Sequence, residues 1–384
     1  MQHPKNIVLV TVDALRTDVL GCYGNTDNLT PALDEISREA LVCQNCFTTS
    51  SATSASIASI FTSQNPYEHG VRFVGEKNNK KNLSFVSLLK QKYNTVGFPS
   101  VETLNKYFDF DEGFMEFYDH IKGYTWLRKA GIGRFNLLNI FSLLKLIRRL
   151  KHRISGHEIN LKVESWLKKK GDKPFFLWVH YFDIHTFSTN PGPWDTPEHS
   201  GDTVLAKNLY NSAVKEFDLI FSDLISILKN HTDFSQTVIA VTADHGEMLG
   251  EAPGFTEGVS FTQRPGFPLS TGHYLHGSTL YNSEISVPLI IKVPGLEEKI
   301  VLNEIVRTID IAPTFLNLLK IPKPDTFRGE SILKLIKNPN DKGREAYMES
   351  IYADKTGICY DGWKLIINGT NYLREPSVKV NKNE

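Results

Sequence analysis

Two short apolar runs that end on charged groups constrain this chain more than anything else in it. Residues 6–13 read N-I-V-L-V-T-V-D, and residues 237–247 read T-V-I-A-V-T-A-D-H-G-E. Both are rich in β-branched residues and nearly all apolar, the composition of strands buried on both faces of a sheet. Each stops at groups suited to holding a metal: Asp13 in the first, Asp244 and His245 in the second. Strands of an open parallel sheet end at one crevice, and ligands sit there. Two carboxylates and an imidazole gathered from distant strands point to a divalent-metal site. Asp13 taken alone also suits the N-cap of a following helix. That alternative leaves the Asp-His-Gly-Glu cluster unexplained.

Further strand-like runs at 94–99, 174–181 and 287–293 alternate with helical stretches. The alternation predicts an α/β fold, a mostly parallel central sheet sandwiched by helices. The 384 residues divide into an expected catalytic domain at 1–335 and a small C-terminal subdomain at 336–384. In the latter, E-A-Y-M-E-S, G-I-C-Y and W-K-L-I-I suit a small antiparallel sheet, and the last ten residues read as a frayed end. Two segments break the alternation. Residues 126–154 carry Lys and Arg but no acid, with Leu138, Phe141, Leu144, Ile147 and Leu150 at amphipathic spacing. They read as a basic helical insertion packed on the core, or as a weak contact with a membrane surface, a lipid or an anionic substrate. Residues 251–272 are rich in Gly and Pro and predict a lid-like loop beside Asp244–Glu247.

Lys+Arg and Asp+Glu balance at 43 each, so no general field favours nucleic acid, and no nucleic-acid partner is expected. Four cysteines are too few for a disulfide framework. Cys43 and Cys46 form one C-x-x-C without a second pair or a histidine at finger spacing, and read as buried thiols. No secretory leader pattern precedes the first strand and no apolar run reaches membrane length, so the expected compartment is the cytoplasm. Residues 48–63, T-T-S-S-A-T-S-A-S-I-A-S-I-F-T-S, combine a hydroxyl cluster with Ala55, Ala58, Ile60 and Phe61 spaced for a helix packed on the sheet. The hydroxyls fall at that helix's N-terminus, where unpaired N–H groups favour an anion. A hydroxyl there is either a cap or a nucleophile.

Six blocks, taken in order, resemble the sulfatase branch of the alkaline phosphatase superfamily over about residues 5–335. They are V-T-V-D-A-L-R-x-D near the N-terminus, S-I-F-T-S-Q-N-P-Y-E-H-G-V (59–71), F-F-L-W-V-H-Y-F-D-I-H (175–185), T-A-D-H-G-E, H-G-S-T-L-Y-N-S-E-I-S-V-P-L-I-I (276–291) and D-I-A-P-T (310–314). The resemblance implies an alkaline-phosphatase-like sheet with a metal at the strand C-termini. Its departures carry as much information. Register on the T-S-Q-N-P-Y-E-H-G-V block sets Thr53 where sulfatases of the family have the Cys or Ser converted to formylglycine. Ala55 then replaces their Pro and Ile57 their Arg, and Ala14 stands where many have a second acid. In this the chain resembles the superfamily's threonine-nucleophile phosphotransferases and phosphodiesterases.

On that resemblance Thr53 is the nucleophile, and with Asp13, Asp244 and His245 it holds one divalent metal ion. The mixed ligand set favours Mn²⁺ or Zn²⁺, with Ca²⁺ or Mg²⁺ as alternatives. A single ion is preferred to two; the groups left over for a second are Asp183, His185, His273 and His276. His185 and His276 are the implied catalytic acids, Glu247 a partner orienting His245, and His69 structural. The expected function is a metal-dependent hydrolase or transferase of an anionic ester. The ester expected is a phosphodiester or phosphonate monoester, and the route a covalent phosphothreonine. The alternatives are a sulfuric-ester hydrolase and an inactive member that binds an anionic glycan or lipid.

Overall fold

The structure, a computed structural model, describes residues 4–79, 81–119, 153–189, 203–250, 274–277, 279–338, 344–350, 355–368 and 378–380. The expected lid-like loop at 251–272 lies outside these residues. So does the expected basic helix at 126–154, except for its last two residues: Arg153 bridges to Val101 and the Ile154 N–H bonds to the Ser100 carbonyl.

The strands in chain order are β1 (Asn6–Val12), β2 (Ala40–Phe47), β3 (Asn94–Phe98), β4 (Glu116–Phe117), β5 (Phe175–Tyr181), β6 (Thr237–Ala243), β7 (Met248–Leu249), β8 (Tyr274–Leu275), β9 (Leu289–Lys292) and β10 (Ile300–Arg307). Eight of them form one sheet in the order β10-β2-β9-β6-β1-β5-β3-β4, parallel except for β9, while β7 and β8 make a separate pair. Every residue of β1, β5 and β6 is buried, as their unbroken apolar composition requires.

Alternation along β5 builds the two helical layers. Phe176 and Trp178 point to one face, where Phe176 meets Phe85 and Phe315 and Trp178 meets Phe61. These partners come from helices Phe85–Leu89, Ile311–Leu318 and Thr53–Thr62. Phe175 and Tyr181 point the other way, against Trp166 and Phe217 of helices Gly156–Leu167 and Thr203–His231. A period of two therefore sorts the aromatic side chains between layers.

Three strands of the sheet lack a clear sequence signal, among them β4, which is only two residues long. Strand β2 carries Gln44 and Asn45, which surface at its end, and β10 is the edge strand, with its exposed and half-buried positions interleaved. The run at 287–293 forms β9 but runs antiparallel to its neighbours. The short C-terminal pieces form β11 (Ala346–Ser350), β12 (Lys355–Tyr360) and β13 (Trp363–Asn368), an antiparallel sheet. The expected frayed end instead supplies a fourth strand, β14 (Val378–Val380), paired with β13. Among the described residues no helix is long and apolar enough to cross a membrane.

Candidate active site

Strand β1 lies between β5 and β6 with Val12 opposite both Tyr181 and Ala243. The chain thus leaves the sheet at Asp13, Phe182 and Asp244 side by side. Asp13, Asp244 and His245 are fully buried. Ala14 follows in the left-handed region at φ 63°, a conformation unfavourable for a residue with a Cβ. It is held there by Tyr210 of the long helix, whose hydroxyl donates to the Ala14 carbonyl (2.6 Å) and accepts from the Arg16 N–H (2.9 Å). The strained turn aims the Ala14 N–H at Asp244 Oδ1 (3.3 Å), which also accepts from the His245 N–H (2.8 Å).

Helix Thr53–Thr62 begins after Ala52 with no side-chain cap, so the hydroxyls before it are not spent on capping. The Thr53 hydroxyl lies 3.2 Å from Asp13 Oδ2 and 3.2 Å from His245 Nε2. Its neighbours face elsewhere: Ser54 Oγ accepts from the Gly75 N–H and Ser51 Oγ donates to the Thr279 carbonyl. Ile57 is fully buried in the same helix, so no cation stands at that position.

The donor set fits a divalent cation. Asp13 Oδ1 and Asp244 Oδ2 are buried without a hydrogen-bond partner, and buried anionic oxygens left unpaired are costly. His245 Nδ1 sits 2.8 Å from the Gly246 carbonyl, which accepts a proton only, so Nδ1 carries the hydrogen and Nε2 presents its lone pair. That nitrogen is 3.7 Å from Asp13 Oδ1 and 3.6 Å from Asp244 Oδ2. Ligands bound at about 2.1 Å to one ion stand roughly 3–4 Å apart, so these atoms are spaced for a shared centre. Among the described residues this Asp-Asp-His group is the one whose ligand atoms all lie within 4.8 Å of one another. Electrostatics agree. Burial and the charge of Asp13 push Asp244 up to about 7. Burial also raises Asp13, but His185, His180 and His245 outweigh it and hold Asp13 below the usual carboxylate range.

Three further groups line the opening. His276 stacks over His245 with ring centroids 3.9 Å apart, and His185 meets His276 edge-on at 4.9 Å. The His276 side chain is 14% exposed, so it links the buried cluster to solvent. Glu247 does not orient His245, contrary to expectation: its Oε2 pairs with His276 Nδ1 at 3.2 Å. The Gly246 carbonyl has already taken the His245 Nδ1 hydrogen. Burial raises Glu247 to about 7 and lowers His276, which brings the two toward a shared proton. Burial likewise lowers His185, with Asp13 opposing.

Asp183 accepts from the Gly156 N–H at the start of helix Gly156–Leu167 and stands outside the metal-type group. His273 lies outside the described residues. His69 is structural, bonded through both ring nitrogens to Ser59 Oγ and the Val71 N–H. Cys43 and Cys46 are buried free thiols. The sequence reading missed His180 and Tyr210. The second had no local signal; the first was visible in V-H-Y at the end of a buried strand, where a histidine must find a polar partner.

The central sheet has an alkaline-phosphatase-like fold, shared with a Vibrio parahaemolyticus protein of the alkaline phosphatase superfamily that superimposes with a TM-score of 0.63 at 20% identity, over 96% of this chain and 78% of that one. Within that superfamily, the sulfatase family model matches residues 5–321, and the chain belongs to the sulfatase family. The arylsulfatase of Clostridium perfringens (strain 13 / Type A) is 24% identical over 409 residues, covering 88% of this chain and 80% of that protein. The phosphonate monoester hydrolase of Agrobacterium radiobacter superimposes with a TM-score of 0.70 at 17% identity, over 98% of this chain and 89% of that one. A protein solved in complex with its substrate D-glucosamine-2-N,6-O-disulfate superimposes with a TM-score of 0.67 at 18% identity, over 99% and 91%. Membership supports an ester hydrolase.

Proposed function

We propose that the protein is a metal-dependent hydrolase of an anionic phosphorus ester, a phosphodiester or phosphonate monoester, with Thr53 as nucleophile. The observation that carries this reading is the Thr53 hydroxyl, set between Asp13 Oδ2 and His245 Nε2 at the open end of a helix. A threonine cannot become formylglycine, and buried Ile57 leaves no cation to assist an aldehyde hydrate.

Asp13, Asp244 and His245 would hold the ion, with Mn²⁺ or Zn²⁺ suiting the mixed oxygen and nitrogen donors. Bound there, it would lower the pKa of the Thr53 hydroxyl and offset charge on the ester oxyanion. The residues themselves account for the remaining chemistry. Thr53 Oγ attacks phosphorus, and its proton points at Asp13 Oδ2. The unpaired N–H groups of the first turn of helix Thr53–Thr62 face the anion. His276, held through Nδ1 by Glu247 Oε2, donates a proton to the departing alkoxide as the P–O bond breaks. Water then attacks phosphorus and gives its proton to His276, the bond to Thr53 Oγ breaks, and the proton held at Asp13 Oδ2 returns to restore the hydroxyl. His185 packs edge-on against the His276 ring and supports its orientation.

The arylsulfatase relative supports a second reading, a sulfuric-ester hydrolase. Matched nitrophenyl sulfate, phosphodiester and phosphonate esters, compared by kcat/KM in one buffer with one metal, separate the two. The proposal expects every sulfate ester to be slower than the best phosphorus ester. A sulfate ester faster than all of them by tenfold, about 1.4 kcal/mol of transition-state stabilisation, would establish the second reading. Thr53→Ala should abolish turnover and Ser54→Ala should retain it; the reverse pattern would move the nucleophile to Ser54.

A further inference from the structure

His180 has been given no role of its own, yet it is fully buried near the end of β5 with Nε2 unpartnered. A buried ring nitrogen without a partner demands an explanation, and the hydrogen-bond chain on its other side supplies one. The Trp178 indole N–H can only donate, and it donates to Thr11 Oγ1 at 3.0 Å. The Thr11 hydrogen is then free to be given away. Two acceptors lie near: His180 Nδ1 at 3.0 Å and the Val179 carbonyl at 3.5 Å. The shorter contact takes the hydrogen, which makes Nδ1 the acceptor and leaves the His180 proton on Nε2. That N–H faces Asp13 Oδ2, 3.7 Å away.

We propose that His180 is a positioning residue for Asp13, its Nε2–H directed at Oδ2 so that Oδ1 stays turned toward His245 and the cation. The proposal rests on the metal-dependent reading above. All three participants are rigid. Thr11 and His180 are fully buried on adjacent strands in direct register. The His180 ring also lies beside the Trp178 indole, with centroids 6.2 Å apart and planes inclined by 26°. Trp178 is wedged in turn against Phe61 of the helix that starts with Thr53. One hydrogen-bonded and packed unit thus ties the nucleophile's helix to the carboxylate beside it. The other Asp13 oxygen has no hydrogen-bond partner. Oδ2 also takes the Thr53 hydroxyl hydrogen at 3.2 Å; once Thr53 reacts that donor is lost, and the His180 N–H is left to distinguish the two oxygens.

The tautomer is testable in metal-free protein. Nitrogen-15 NMR of histidine-labelled enzyme should show the His180 hydrogen on Nε2; a hydrogen on Nδ1 overturns the proposal. Its consequence is read by calorimetric titration of Mn²⁺ and of Zn²⁺. His180→Asn keeps an acceptor for Thr11 but has no donor that reaches Asp13, and should lose about tenfold in metal affinity, the usual scale for such partners. His180→Gln extends an N–H toward Asp13 and should stay within about threefold of wild type. A role in packing alone predicts the opposite order, because Asn keeps the Thr11 contact. Equal affinity in wild type and His180→Asn overturns the assignment while leaving the metal site standing. A wild type that takes up no divalent ion overturns the metal-dependent reading itself, and this role with it.

Discussion

Replacing Gly246 by alanine should destabilise the protein by about 3–5 kcal/mol, a large effect for one methyl group. An added Cβ would sit 2.0 Å from the Ser283 carbonyl oxygen and 3.0 Å from its carbon. Both are backbone atoms, so no side chain can swing aside. Relief needs a displacement of about 1.5 Å, since non-bonded heavy atoms settle near 3.5 Å. The same seam holds two short backbone bonds, Gly246 N–H to the Glu284 carbonyl (2.7 Å) and Glu247 N–H to the Ser283 carbonyl (2.8 Å). Losing both costs about 2 kcal/mol, and overpacking adds roughly 1–3 kcal/mol. The shift also moves His245 and Glu247 from either side, and a misplacement of this size lowers turnover by about a hundredfold. Urea unfolding of metal-free wild type and G246A, with the slopes compared, measures the first effect, and initial rates measure the second. A variant within about 1 kcal/mol of wild type and fully active would mean that this turn does not abut residues 283–284.

Three further outcomes follow from the buried charges. Asp244, Glu247 and Glu284 are each raised to about 7, chiefly by burial. A raised carboxyl pKa means the folded protein holds its proton more tightly than the unfolded chain, so that contribution is complete below about pH 4 and is lost as pH rises through about 7. Burial lowers His69, His185, His245 and His276, which act in the opposite sense up to about pH 6.5, so the carboxyl contribution is read as a difference. In chelator the Tm of Glu284→Gln relative to wild type should rise between about pH 5 and 8, and a difference that falls over that range would contradict the argument. Asp244→Asn removes one of two crowded carboxylates and should raise the metal-free Tm at pH 8 while abolishing metal uptake, and a lowered Tm there would show the pair is not repulsive. Lys364, buried against the Leu280 carbonyl, is lowered by burial to about 8. Its folded form resists protonation, so stability should recover from about pH 8 to 10.5, and Lys364→Met should flatten that rise in unfolding experiments.

The sequence carries most of this site because its ligands sit directly after strands. An apolar run ending in Asp13 or Asp244-His245 shows both the strand and the point where it leaves the core. Thr53 was harder, since ten of residues 48–63 are Ser or Thr, and only register against a family block separated them. The direction of β9 was invisible: an apolar run buried on both faces reads the same either way. The Glu247–His276 pair was misassigned because sequence proximity favoured His245, whereas the Gly246 carbonyl already occupied that imidazole. Tyr210 could not be found at all. Its partner Ala14 matters only through a backbone carbonyl and a left-handed turn, and neither leaves a mark in composition.

The covalent step is the centre of the account, and acid quenching tests it. Enzyme mixed with excess nitrophenyl phosphonate or phosphodiester, stopped in acid within a few turnovers and digested, should yield one modified peptide by mass spectrometry. Fragmentation should place the phosphorus group on Thr53, and Thr53→Ala should give no adduct and no burst of nitrophenol. An adduct on Ser51 or Ser54, or steady turnover by Thr53→Ala at the wild-type rate, would contradict the assignment of Thr53 as nucleophile.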